Sequence, residues 1–224
     1  MRSGFKKYYA QQRSKNANAE EGHFLTISRE YGCCGIDLAE KVVDLIEQRC
    51  SVNWKIYHKD LLQRLAKEAG VDFETIEKQR LAKPGIVNEF LSNLKQTNIP
   101  DGYEIRKRVA FMVRDIAGKG NAVIVGQGGA AATGDMAGGL NVRVEAPRQW
   151  RVLRVRNQEG LSDKEAEKRL DELEKSRIHL HRAYEAMCPR RPAFHLLFDN
   201  SRFTAEQISE QIFYAMKLCG MIKI

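Results

Sequence analysis

No stretch of the sequence is long and apolar enough to span a bilayer, so no membrane-spanning helix is expected. The opening residues, Met1 to Gly22, carry several Lys and Arg and lack the apolar stretch of a secretory signal. They read as a disordered polar arm ahead of one domain over 23–224. Cysteine is scarce: Cys33, Cys34, Cys50, Cys188 and Cys219 are odd in number and have no framework spacing. A disulfide scaffold is therefore excluded, and reduced thiols in the cytoplasm are expected. Cys33 and Cys34 are adjacent rather than separated by two residues as in C-x-x-C, so no metal site is expected at them. The chain has no internal repeats, no low-complexity tract and no recognisable nucleic-acid motif.

What is present is positive charge and an alternation of apolar patterns. Thirty-seven Lys and Arg against 29 Asp and Glu leave a formal charge of +8, which suits polyanionic ligands. Nucleotides and nucleic acids both satisfy that balance, as does ordinary surface charge for solubility. At 224 residues the chain is long enough for one sizeable core. Strand-like and helix-like stretches alternate, the signature of an α/β sheet flanked by helices.

His23 to Ser28 is rich in β-formers and is followed by Gly32 and Gly35. Leu38, Val42, Leu45 and Ile46 then share one helical face. Further strands are expected at Trp54–Tyr57, Ala122–Val125, Val142–Ala146 and Phe194–Phe198. Helices are expected over Lys59–Ala69, from Asp72 onward, near Val87–Leu94, over Tyr103–Gly118, Arg148–Gln158 and Ser162–Tyr184, and after Thr204. Ser162 with Glu165, and Thr204 with Gln207, have capping-box spacing.

The turn between the first strand and its helix is the leading chemical candidate. Glycines there let backbone N–H groups turn inward, and a helix N-terminus adds the positive end of its dipole. An anion can sit in such a turn, although two glycines in a βα connection also serve plain turn geometry. The pair His179 and His181 lies two residues apart and so does not share a helical face, which disfavours a metal site.

Ser28-Arg29-Glu30-Tyr31-Gly32-Cys33-Cys34-Gly35-Ile36-Asp37-Leu38-Ala39 resembles the phosphate loop of the cytidylate kinase-like family, typically S-R-E-Y-G-S-G-G-R-E-I-A. Ile56 to Asp60 resembles the family's F-Y-D-K-E, and Gly120 to Gly128 its G-x-x-V-I-V-G-R-G. Glu174-Lys175-Ser176-Arg177 resembles a D-K-x-R lid segment, and Asn200-Ser201-Arg202 an N-T-S-R. The ordered series covers most of Phe24 to Met216. It implies a three-layer P-loop nucleoside monophosphate kinase fold, with a monophosphate-binding insertion over 59–103 and a lid over 176–192. It further implies phosphoryl transfer from ATP, with Mg²⁺, to a pyrimidine nucleoside monophosphate. By that resemblance Ser28, Arg29, Gly32, Cys33, Cys34, Gly35, Ile36 and Asp37 hold the ATP phosphates. Tyr57, Asp60, Gly126, Gln127, Gly128 and Arg154 hold the acceptor, and Arg177 and Arg182 act on the transferring group.

One position departs from the general phosphate loop and four from the family pattern. Gly35 stands where the general phosphate loop has its lysine, and Ile36 stands where the family offers arginine. Cys34 replaces a glycine, His58 an aspartate and Gln127 an arginine. Gln keeps hydrogen bonding but loses the charge and the two-pronged fork. Each lost charge-assisted contact is worth about 1.5–3 kcal/mol. A catalytically silent nucleotide-binding protein is therefore a second expectation, and a basic nucleic-acid-binding protein a third.

Overall fold

The structure, a computed structural model, describes residues 22–81, 100–187 and 194–223. Five strands form one sheet: β1 (Phe24–Arg29), β2 (Lys55–Tyr57), β3 (Ala122–Val125), β4 (Gly139–Glu145) and β5 (Leu196–Asp199). Their order is β2-β3-β1-β4-β5, and every pairing is parallel. Among the described residues eight helices flank them: α1 (Ile36–Cys50), α2 (Asp60–Ala69), α3 (Phe73–Leu81), α4 (Gly102–Lys119), α5 (Gly129–Ala132), α6 (Arg148–Glu159), α7 (Asp163–Met187) and α8 (Ala205–Leu218). This is a three-layer α/β arrangement, the class that the alternating patterns imply.

The period-2 rule of strands builds the two cores. Leu25 and Ile27 of β1 and Val123 and Val125 of β3 face α1 and α8. Phe24, Ala122 and Ile124 face the opposite way, onto α2, α4 and Tyr184 of α7. β3 is buried on both faces and so reads as an unbroken apolar run, while β1 carries Thr26 and Ser28 at alternate positions. β4 differs. Leu140, Val142 and Val144 enter the first core, but the alternate positions are Asn141, Arg143 and Glu145. Asn141 Oδ1 accepts from the buried Thr26 Oγ1 at 2.7 Å, and Arg143 Nη1 donates to Ser28 Oγ at 3.2 Å. One side of the sheet is thus apolar near β2 and polar near β4.

Helix ends follow the sequence signals. Thr204 and Gln207 complete a capping box, Ser162 and Glu165 exchange the corresponding bonds, and Asp101 accepts from Glu104 N at 2.7 Å. Gly70 closes α2 in the left-handed region at φ 68°. Several boundaries differ from expectation. β4 begins at Gly139, opposite Phe24, where a side chain would strike the Phe24 ring. β5 begins at Leu196, because His195 closes the strand's approach by accepting from Asn141 N through Nδ1. The short helix α5 has no apolar period and was not expected. The helix expected near Val87–Leu94 lies outside the described residues. Residues 176–187 continue α7, and the rest of the expected lid, 188–192, lies outside the described residues.

β3 leaves the sheet through Gly126, Gln127 and Gly128, with φ of 71°, 56° and 70°. Gly128 has no room for a side chain, since an added Cβ would lie 2.6 Å from the Tyr184 ring. Gly128→Ala combines that overlap with an unfavourable backbone, and should cost about 1–3 kcal/mol of stability, read as a lower urea midpoint.

Candidate functional site

A cavity of about 430 Å³ opens at the carboxyl ends of β1 and β3. Ligands of open parallel sheets bind in this position, beyond the strand ends. Its floor is Thr26 to Arg29 and the turn from Gly126 to Ala131. One wall is α7, which turns Arg169, Leu173, Arg177, Leu180, His181 and Tyr184 toward it. Those positions recur three and four apart, so they form one stripe of the helix. The facing wall is His58, Lys59 and Leu62, with Glu77 and Arg80 from α3.

Arg29 is the centre of this cleft. Its Nη2 meets His58 Nε2 at 3.0 Å. Its guanidinium passes beneath Gly35 and Gly126, so closely that a Cβ on Gly126 would lie 2.2 Å from Nη1. Only glycine leaves that channel open. Burial, then Arg177 and Arg80, pull the Arg29 pKa down to about 9. No carboxylate pairs with Arg29 among the described residues. A cation withdrawn from water without a counter-charge is costly, and an anionic ligand is the remedy the geometry allows. Arg177 adds to it: Nη1 donates to Arg29 O at 3.2 Å, the guanidinium lies 5.3 Å from the centre of the Tyr31 ring, and burial lowers its pKa.

An arginine only donates, so His58 Nε2 must accept from it, and the ring is neutral. Burial first, then Arg29, Lys59, Arg177 and Arg80, push the His58 pKa down to about 4. The same causes hold down His181, where burial is followed by Arg143.

The turn from Glu30 to Gly35 is braced from outside. Arg151, buried on α6, donates through Nε to Ala146 O at 2.9 Å and through Nη1 to Tyr31 O at 3.3 Å. It also pairs with Glu30, at 3.2 Å, and with Glu174 of α7. The buried Asn200 accepts from Cys34 N at 2.8 Å and donates to Phe203 O at 3.0 Å. That loop amide is engaged by protein. Gly35 caps α1 without any side-chain acceptor, which leaves the first-turn amides for another partner. Cys34 is buried and Cys33 packs against the same core. Burial pushes the two thiols up to about 11 and about 12, so both stay protonated and unreactive.

A second cleft, of about 350 Å³, lies beyond the turn. Asp37, Trp150, Arg154 and residues Asn200 to Glu206 line it. The sequence candidates therefore divide. Ser28, Arg29, Gly126, Gln127, Gly128 and Arg177 converge on the large cleft. Gly32, Cys33, Cys34, Gly35 and Ile36 form the turn and the helix start, and Asp37 reaches the second cleft.

Four candidates are corrected. Arg182 is exposed and lines neither cleft, because it lies off the α7 stripe that carries Arg177 and His181. Arg154 lines the second cleft, over the Trp150 ring at 5.2 Å, and not the large one. Tyr57 packs against the second core. Asp60 accepts from His58 N at 2.6 Å and so shapes the turn before α2. Sequence reasoning missed Lys59, Glu77, Arg80 and Arg169. The apolar period of α7 running through Leu173, Leu180 and Tyr184 was the signal that would have located Arg169.

The profile of the cytidylate kinase-like family matches residues 24–202. An uncharacterized protein from Eubacterium ventriosum ATCC 27560 superposes with a TM-score of 0.61 at 16% identity, covering 89% of this chain and 99% of that one. Dephospho-CoA kinase from Campylobacter jejuni gives a TM-score of 0.41 at 12% identity, covering 89% and 98%. No curated protein matches the sequence.

The neutral His58 has a consequence for acid stability. Below its ordinary pKa near 6.5 the unfolded chain takes up a proton that the folded chain refuses until about 4. The folded state is undiminished above that window and loses stability as pH falls through it. His58→Gln keeps an acceptor for Arg29 and does not titrate. Its stability should fall less than wild type between pH 6.5 and 4 in parallel urea titrations.

Proposed function

The chain belongs to the cytidylate kinase-like family, and on that premise we propose that it transfers a phosphoryl group from ATP to a pyrimidine nucleoside monophosphate. The family makes it a nucleotide kinase-type protein; the acceptor and the turnover are the proposal. The observation that carries the reading is the buried Arg29, without a carboxylate partner among the described residues, at the meeting point of the phosphate turn and the large cleft. Arg29, Arg177 and Lys59 face a cleft of nucleotide size whose lining includes one carboxylate, Glu77.

In this reading the acceptor lies in the large cleft with its phosphate toward Arg29 and Arg177. ATP lies across the turn, its phosphates against the amides of Gly35 and the α1 N-terminus and its base in the second cleft with Trp150 and Arg154. Phosphoryl transfer asks little covalent chemistry of the protein, which has to align two polyanions and neutralise charge. Arg29 is held from three sides and cannot withdraw. Arg177, resting on Tyr31 and on the Arg29 carbonyl, stabilises charge on the group in flight. The α7 wall excludes water, which would otherwise divert the phosphoryl group.

Mg²⁺ fits this arrangement only loosely. Ile36 offers no oxygen, and among the described residues no three His, Cys, Asp or Glu side chains gather. Asp37 is the residue that would hold it, with the ATP phosphates as its other ligands, as is usual for this ion. Bound there, Mg²⁺ would supply neutralisation of the triphosphate.

A second reading, a nucleotide-binding protein without turnover, draws on the Cys34 amide held by Asn200 and on the uncharged Ile36. Purified protein with ATP, Mg²⁺ and CMP separates the two. ADP and CDP should form, and Arg177→Ala should lower kcat/KM by about ten- to a hundredfold. Thermal stabilisation by nucleotide with no product from any common monophosphate would leave only the silent binder.

A further inference from the structure

The sequence places an uncharged glutamine, Gln127, where the family resemblance leads one to expect an arginine. In the fold that glutamine does something specific. Its Oε1 accepts from Arg80 Nη1 at 2.7 Å. The two residues come from distant parts of the chain and both line the large cleft. Gln127 is held in the left-handed region at φ 56°, a conformation that a side-chain-bearing residue adopts at a cost. Gly126 and Gly128 on either side hold it there, and the conformation sends Gln127 to Arg80.

Arg80 is itself nine-tenths buried at the end of α3. Glu77 Oε1 takes Nη2 at 2.7 Å, and Gln127 takes Nη1. A guanidinium carries five N–H donors, so three remain after these two bonds, with the buried Tyr184 hydroxyl beside them. One of them, on Nε, is buried and has no partner among the described residues. The backbone at Arg80 is tied down as well, because Arg106 Nη1 donates to Arg80 O at 2.7 Å. Such bracing from Gln127, Glu77 and Arg106 orients a fork that still has donors to give.

We propose that Arg80 joins Arg29 and Arg177 in gripping the anionic group of the acceptor in the large cleft, and that Gln127 is the positioning residue that sets Arg80 there. The proposal rests on the reading that this cleft takes a nucleoside monophosphate. It assigns the charge absent at position 127 to a side chain 47 residues away along the chain. It also reverses the simplest expectation about position 127. Arginine has no acceptor atom, so a second guanidinium at 127 cannot receive Arg80 and repels it. Gln127→Arg therefore expels one fork while supplying another from a strained backbone, and binding weakens.

The test is calorimetric titration of the full chain with CMP and, separately, with inorganic phosphate, alongside thermal melting of each variant. Wild type should bind CMP. Arg80→Lys and Arg80→Ala should bind it about ten- to a hundredfold more weakly. Gln127→Arg should weaken CMP by a similar factor, and the exchanged pair Gln127→Arg with Arg80→Gln should regain most of the affinity. Arg80→Lys retains charge and reach, so it reports on the fork even where the alanine variant unfolds. Unchanged CMP affinity in folded Arg80→Lys and Arg80→Ala, or tighter binding by Gln127→Arg, overturns the proposal while leaving the kinase reading intact. An exchanged pair that recovers melting temperature but not affinity makes the contact purely structural and overturns it too. Wild type that binds neither CMP nor phosphate removes both this proposal and the reading beneath it.

Discussion

A buried cation without a counter-charge governs this structure. Arg29 leaves the end of the central strand and runs beneath two glycines to a neutral histidine, and nothing anionic among the described residues meets it. Three features follow from accommodating that guanidinium. Gly35 and Gly126 have no room for side chains above it. His58 has to remain neutral, since a protonated ring would present a donor to a donor. Arg177 and Arg80, close enough to depress the Arg29 pKa, sharpen the demand for an anion. The site is preorganised in the sense that matters for phosphoryl chemistry: the repulsion is built in before the ligand arrives, and binding relieves it.

The phosphate turn is unusual in how its charge is supplied. A lysine within the loop would bring charge and loop geometry in one segment. Here the turn itself is uncharged at Cys33, Cys34, Gly35 and Ile36, and its shape is held from outside by Arg151 and Asn200. Arg151 ties Glu30 and the Tyr31 carbonyl to the end of β4 and to Glu174 of α7. The loop is therefore coupled mechanically to the helix that carries Arg177. Charge comes from three places: the strand end, α3 and α7. Such a division lets loop residues vary, as Cys34 and Ile36 do, while the electrostatic character of the cleft is kept.

Much of the fold was legible because it depends on local pattern. The apolar alternation of β1 and β3, the 3.6-residue period of α1, and the boxes at Ser162 and Thr204 need only neighbours within a few residues. Arg177 was legible through its motif. Arg182 was misplaced because a motif read along the chain ignores the 100° turned at each helical residue. Tyr57 and Asp60 were misassigned for a similar reason. Their segment reaches the cleft, but His58 and Lys59 face it, while Tyr57 enters the core and Asp60 closes the turn. Arg154 sits near the phosphate turn in space yet on its far side, a distinction no linear spacing carries.

By itself the sequence determined the layer arrangement, the strand–glycine–helix turn, and the excess of positive charge, because composition and short-range periodicity are enough to specify them. Tertiary structure alone decided that Arg29 meets a neutral His58 with no carboxylate beside it among the described residues, that Gln127 holds Arg80, and that Asn200 closes on the Cys34 amide. Those contacts join residues 29, 47 and 166 positions apart. Their partners are selected by sheet order and helix packing, which bring distant segments to the same strand ends. The chemistry of the site lies in that convergence, and a linear pattern cannot record which of many arginines will lose its water.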